Sequence, residues 1–178
     1  MIMSTDNEYD SGYEMTMRNI KIKLALGEYV IGVENERYEK FKKSREYKVY
    51  KETHNGKAIT GSMALYLFGL LDRTVGDLDI MNSDIKKFNF SHRDSYDFIE
   101  NDSGYLGSVM YIPKWYQFFE NFHIDIFEET EIEKIVYKDL VIDNPLSIME
   151  NKKIIGDIGN RKHYSDLKFI QSKFNNLI

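Results

Sequence analysis

The chain has 178 residues, 42 % of them hydrophobic and 30 % charged, which suits one domain with a proper core and excludes both two ordinary domains and a disordered segment. Its net charge of −5 argues against a general nucleic-acid coat, and no apolar run approaches the roughly 18–20 residues of a membrane-spanning helix. Cysteine is absent, which excludes disulfides and thiolate zinc sites and leads us to expect a reducing, cytoplasmic setting and no membrane partner.

Residues 1–19 read as an N-terminal arm. The opening "MIMSTDNEYDSGYEM" is acidic and polar, without the basic-then-apolar order of a secretory signal. Residues 20–56 form a helical segment, with helix from about Ile20 to Glu52 in two pieces broken near Gly27 or Gly32. Tyr38, Phe41, Arg45 and Val49 fall on one mostly apolar stripe. Between Arg37 and Lys57 eight Lys/Arg stand against three Glu. That excess reads as a solvated helix face or as a docking surface for a polyanion. "HNG", His54 to Gly56, is a turn.

Residues 57–130 look like the core. "KAIT" is a short buried strand. Ser62 to Leu71 is apolar nearly all round, so it reads as a buried helix, with Ser62 where an N-cap belongs. Asp77 to Met81 is a second strand. Residues 82–103 are polar, with a short helix expected at "DSYDFIEN". Tyr105 to Pro113 is a third strand, ended by proline, and Phe122 to Glu128 a fourth. Residues 131–178 extend this core. "IEKIVYKDLVIDNP" is a strand or a paired extension, "PLSIMENKKIIGDI" a helix with Pro145 in its first turn, and Lys162 to Phe174 a closing amphipathic helix. The expectation is a single α+β domain, with a mixed β-sheet of about four to five strands and helices packed against it.

The chemistry-bearing residues converge on that core. Asp77 and Asp79 stand at i and i+2 of a strand, so both carboxylates leave one face while Leu78 and Ile80 enter the core. Like charges this close repel unless neutralised, and Mg²⁺ prefers such oxygen ligands together with substrate phosphate. Asp125 lies between Ile124 and Ile126 and needs a reason to be there. Three carboxylates around two divalent ions would form the clamp used for in-line displacement at phosphorus. Gly61 and Ser62 sit between a strand and a helix start, where N–H groups and a hydroxyl suit phosphate. The bland alternatives are a hydrogen-bonded structural cluster and a plain N-cap. His123 shares the strand face of Asp125 and either orients the site or is structural. Trp115 and its aromatic neighbours, "WYQFFENF", read as core packing before a base-stacking platform.

The combination "TGS…GDLDI…HIDI" resembles the DNA polymerase β-type nucleotidyltransferase superfamily. Within it, "GSMALYLFGLLDRTVGDLDI" is most similar to the AbiEii-like abortive-infection toxins. "PLSIMENKKI" and "RKHYSDLKFI" resemble that family's later segments, with His163 standing where relatives carry an aspartate. The resemblance implies the nucleotidyltransferase fold and an enzyme that moves an NMP from an NTP to an acceptor hydroxyl, releasing pyrophosphate. It implies that Asp77, Asp79 and Asp125 hold two Mg²⁺ ions, or Mn²⁺ in their place, and that Asp125 helps to deprotonate the attacking hydroxyl. Gly61 and Ser62 would hold the β,γ-phosphates, with Arg73 and Lys153 or Lys152 neutralising phosphate charge. Asp166 occupies a family position, but also forms an i,i+4 pair with Lys162 that a helix surface explains. Arg73 could equally cap a helix C-terminus. The acceptor would be RNA, particularly a tRNA end, or a protein, and a homodimer or partner protein could complete the site. A toxin-like or phage-related role fits. The alternatives are a non-catalytic nucleotide- or partner-binding member, or a small-molecule, antibiotic-type transferase.

Overall fold

The computed structural model of the chain describes residues 31–73, 75–84, 95–98, 105–111, 122–148, 165–166, 168–170 and 172. The N-terminal arm therefore lies outside the described residues. Helices α1 (Asn35–Lys42) and α2 (Arg45–Thr53) follow a non-helical stretch at 31–34. Residues 31–34 are not helical, in keeping with a break near Gly32, and Gly27 lies outside the described residues. A further break falls at Ser44. Its hydroxyl accepts from the Tyr47 N–H at 3.2 Å, capping α2, and donates to the Phe41 carbonyl. A serine cap satisfies orphan backbone groups at both ends of the break, which a continuous stripe could not reveal. Tyr38, Phe41 and Val49 are buried on that stripe, and Arg45 is half-buried.

A third helix, α3 (Gly61–Leu67), starts one residue earlier and stops four residues sooner than expected. Its N-cap is Thr60, so Ser62 is not the cap but lies in the first turn. The stop comes from Gly69, at φ +72°. The Leu70 N–H donates to the Leu65 carbonyl at 2.8 Å and the Gly69 N–H to the Tyr66 carbonyl at 2.9 Å. This is a Schellman ending, with Leu65 and Leu70 both buried. The guanidinium of Arg37 also donates to the carbonyls of Tyr66 and Leu71. Arg37, rather than Arg73, therefore caps this helix end.

The strands are β1 (Ala58–Thr60), β2 (Leu78–Met81), β3 (Ser95–Phe98), β4 (Tyr105–Tyr111), β5 (Phe122–Phe127), β6 (Ile135–Tyr137) and β7 (Leu140–Ile142). They form one mixed sheet in the order β3-β4-β5-β2-β1-β7-β6. The β2–β5 and β1–β7 pairs are parallel and the others antiparallel. Edge strands β3 and β6 extend the expected central strands to seven. The segment expected as a helix, "DSYDFIEN", contains β3, because pairing with β4 overrides a short local preference. The extension at 131–144 becomes the β6–β7 hairpin, and residues 145–148 are helical from Pro145 onward.

Ile59, Leu78, Ile80, Ile124, Ile126 and Ile142 are fully buried and join one core with the apolar faces of all three helices. Each such side chain contributes roughly 1.5–3 kcal/mol when buried. A one-residue slip of β2 or β5 would replace them with aspartates, so register is strongly specified. At the far end Tyr38 and Tyr47 donate their hydroxyls to Asp139 in the β6–β7 turn, with Lys51 Nζ 3.3 Å away. Burial alone would raise the Asp139 pKa, but these partners together hold it well below the usual carboxylate range. Among the described residues no helix is long and apolar enough to cross a membrane.

Candidate functional site

The strand pairings align one row of polar residues across the sheet. Thr60 is in register with Asp79, Asp79 with Asp125, Asp125 with Ser108 and Ser108 with Asp97. On the other side Ile59 pairs with Ile142, so Thr60 and Asp143 come next, and Thr60 Oγ1 donates to Asp143 Oδ2 at 2.8 Å. Residues facing each other across a ladder share a face, while their chain neighbours take the opposite one. For Thr60, Asp79 and Asp125 that face is the counterpart of the buried isoleucine row on the core side.

Asp79 and Asp125 are the centre of this row. They occupy adjacent parallel strands and both are half-buried. At a strand spacing of roughly 5 Å, two carboxylates repel by on the order of 3 kcal/mol at an effective dielectric of about 20. A cation placed between them removes that repulsion. Asp77 lies one residue ahead of β2 and is exposed, so it is not within the strand as expected. Among the described residues no group of three or more His, Asp or Glu side chains is drawn together to hold a metal ion. Asp79 and Asp125 still offer two hard oxygen donors side by side, which suits Mg²⁺ bound by one or two carboxylates and completed by substrate phosphate.

The Gly-Ser turn meets this pair directly. Gly61 has φ +66°, a left-handed backbone that favours glycine. A Cβ there would overlap Asp79 Oδ2 and lie 3.0 Å from Asp79 Cγ. The glycine is therefore required twice, by its φ and by the carboxylate against it. Thr60, just before it, turns its hydroxyl to Asp143 and makes no side-chain cap bond to α3. Asp143 is fully buried, accepts a 2.8 Å hydrogen bond from the Asn144 N–H, and has Lys134 Nζ 3.5 Å away. These partners offset the desolvation of a buried carboxylate.

Arg73 joins three of the expected residues. Its guanidinium grips Asp166 through two bonds, Nε to Oδ1 at 2.8 Å and a terminal nitrogen to Oδ2 at 2.9 Å. The same terminal nitrogen donates to Ser62 Oγ at 2.9 Å. Asp166 is 4 % exposed. It is a partner of Arg73 and not simply of the helix surface; Lys162 lies outside the described residues. The Asp166 hydrogen bonds hold Arg73 charged, raising its pKa against the opposing effect of burial, and the charge of Asp77 adds to this. The positive charge is thus fixed beside the Ser62 hydroxyl and within the field of Asp77.

Lys152, Lys153, His163 and Trp115 lie outside the described residues. The backbone of His123 is in β5 opposite Met110; its side chain lies outside the description. Thr60 and Asp143 were missed from the sequence. For Asp143 a signal existed, because "VIDN" repeats the apolar-Asp pattern of "HIDI". Another buried titratable group, His54, ends α2 and contacts Asn82 Nδ2 through Nδ1 at 3.4 Å. Burial, then the charge of Lys57, push its pKa down to about 4.

Beside Arg73 a cleft of about 390 Å³ opens between the α1–α2 junction, α3 and the 72–76 segment. No family model, no curated protein and no solved structure matches the chain.

Proposed function

We propose that the chain is a Mg²⁺-dependent nucleotidyltransferase. The observation that carries this reading is the close fit of Gly61 against Asp79, which is itself in register with Asp125. A phosphate-binding turn and two metal-binding carboxylates would then share one edge of the sheet. Asp79 and Asp125, joined by Asp77, would hold Mg²⁺, which supplies Lewis-acid activation of the attacking oxygen and charge neutralisation at the α-phosphate. The N–H groups of the Gly61–Ser62 turn would receive the β,γ-phosphates. Helix α3 has only 7 residues, so its dipole is slight, and the positive charge would come chiefly from Arg73.

The transfer balances simply. The acceptor hydroxyl oxygen forms a bond to the α-phosphorus, the α–β phosphoanhydride bond breaks, and pyrophosphate leaves. Asp125 takes up the hydroxyl proton. Asp166 and Ser62 keep Arg73 aimed at the phosphates throughout. The acceptor class we favour is RNA, with protein as the other arm of the test.

A second reading is a nucleotide- or partner-binding protein that performs no transfer. It draws on the lack, among the described residues, of three metal-binding side chains drawn together. One experiment separates the two. The purified chain is incubated with each α-labelled NTP, Mg²⁺, and either total RNA or cell protein. Transfer of label to one acceptor class, lost in Asp79→Ala and Asp125→Ala, is expected. Label transfer undiminished by both substitutions removes these carboxylates from the reaction, and no transfer at all leaves the binding reading.

A further inference from the structure

We propose that the cleft beside Arg73 is a binding site for one nucleoside phosphate unit, entered from the α1–α2 side. Its size is the first argument. A volume of about 390 Å³ lies at the small end of ligand pockets and suits a single nucleotide, not a duplex. Its lining is the second. Phe41, Met63 and Tyr66 supply apolar and ring surface, while Lys40, Arg45 and Arg73 supply positive charge. Tyr66 is a fixed wall, because the Arg37 guanidinium lies over its ring, 4.6 Å from the centroid.

Charge narrows the occupant further. The two acids on the wall already have partners: Glu46 lies 2.9 Å from Arg45, and Asp72 lies 3.6 Å from Arg37. Arg73 is held by Asp166. Among the charged residues that line the cleft, Lys40, Arg45 and Arg73 stand against Glu46 and Asp72, an excess of one positive charge. That balance suits one phosphate on an apolar ring system better than a triphosphate. It also gives the excess of Lys/Arg in α1 and α2 a place. Arg37, Arg45, Lys51 and Lys57 are engaged in ion pairs, whereas Lys40 is exposed at the cleft rim.

Position is the last argument. Arg73 lines the cleft and also touches Ser62, so an occupant would sit next to the phosphate turn. Calling that occupant the acceptor rests on the transferase reading; the site itself does not. A free nucleotide and the terminal nucleotide of an RNA strand share this chemistry, and the test distinguishes them.

The test is direct binding to the full chain, without Mg²⁺ or NTP. AMP, a tetraribonucleotide, adenosine and inorganic phosphate are titrated separately, with methyl resonances of ¹³C-methionine as the local probe. The Met63 methyl, assigned with Met63→Leu, is expected to shift with AMP or the tetranucleotide, while the Met81 methyl does not. Adenosine and phosphate alone are expected to bind at least tenfold more weakly, and Lys40→Glu is expected to weaken the nucleotide tenfold or more. Tighter binding of AMP names a free nucleotide as the occupant, and equal or tighter binding of the tetranucleotide names a strand end. Absence of any Met63 shift, or binding indifferent to Lys40→Glu, overturns the proposal. Binding without label transfer sinks the transferase reading alone, and transfer without binding here sinks the cleft alone.

Discussion

Replacing Gly61 by alanine tests the contact on which the site depends. At φ +66° a side chain costs about 1–2 kcal/mol, and the restricted unfolded chain returns about 0.4–1. The net backbone penalty is about 1 kcal/mol. The new methyl also overlaps Asp79 Oδ2, and driving that carboxylate off its rotamer adds roughly another 1 kcal/mol. Gly61→Ala should therefore destabilise by about 2 kcal/mol and lower Tm by roughly 4–8 °C in a chain of this size. In an Asp79→Ala background the carboxylate is gone, and only the Asp79 Cβ remains, 3.1 Å away. There the penalty should fall to about 1 kcal/mol. Urea denaturation of the four proteins, followed by circular dichroism, measures the difference as a coupling energy. Equal penalties in both backgrounds would refute the close approach of Gly61 to Asp79.

Two further expectations concern the supporting groups. His54 is 2 % exposed with a pKa of about 4, against about 6.5 unfolded. Between those values the unfolded chain binds a proton that the folded chain does not, so stability falls as pH drops from 6.5 to 4. The loss reaches about 3 kcal/mol. Urea midpoints across that window should decline less in His54→Gln than in the wild type, and parallel declines would exclude His54 as the cause. Asp166→Asn removes the charge that grips Arg73. We expect a loss of roughly 2–3 kcal/mol, tempered because a third of Arg73 faces solvent. Arg73→Ala should add little on top of it in a double-mutant cycle, whereas full additivity would mean that the pair is not coupled.

The parts legible in the sequence were those in which burial and spacing agree. "GDLDI" and "HIDI" announce their strands because the aspartates alternate with residues that must enter a core, and β2 and β5 then align Asp79 with Asp125. The all-apolar run after Ser62 announces a helix under the sheet. What stayed hidden was decided by partners far along the chain. A glycine, Gly27 or Gly32, was the expected helix breaker, but a serine hydroxyl can also end one helix and begin the next, and Ser44 does so. "DSYDFIEN" carries a pattern compatible with helix or strand, and β4 chooses strand by offering its ladder. Arg73 and Arg37 could not be told apart as helix caps, because the choice depends on which guanidinium reaches the carbonyls of Tyr66 and Leu71.

The row across the sheet explains why Asp143 escaped notice and why it belongs to the argument. Its one local mark is the apolar-Asp pattern of "VIDN", with no second acid two residues away. The β1–β7 register brings it beside Thr60, whose hydroxyl it accepts, and Thr60 immediately precedes the left-handed Gly61. The turn that presses on Asp79 is thus held from behind by a buried carboxylate, and Arg73 with Asp166 holds Ser62 from the other side. A plain helix cap requires neither support, since one serine or threonine hydroxyl suffices for that. Here the threonine hydroxyl is turned to Asp143 and makes no cap bond, and the serine hydroxyl accepts from Arg73. Under the transferase proposal, this turn, fixed on both sides and set against Asp79, is the part that would receive the phosphates.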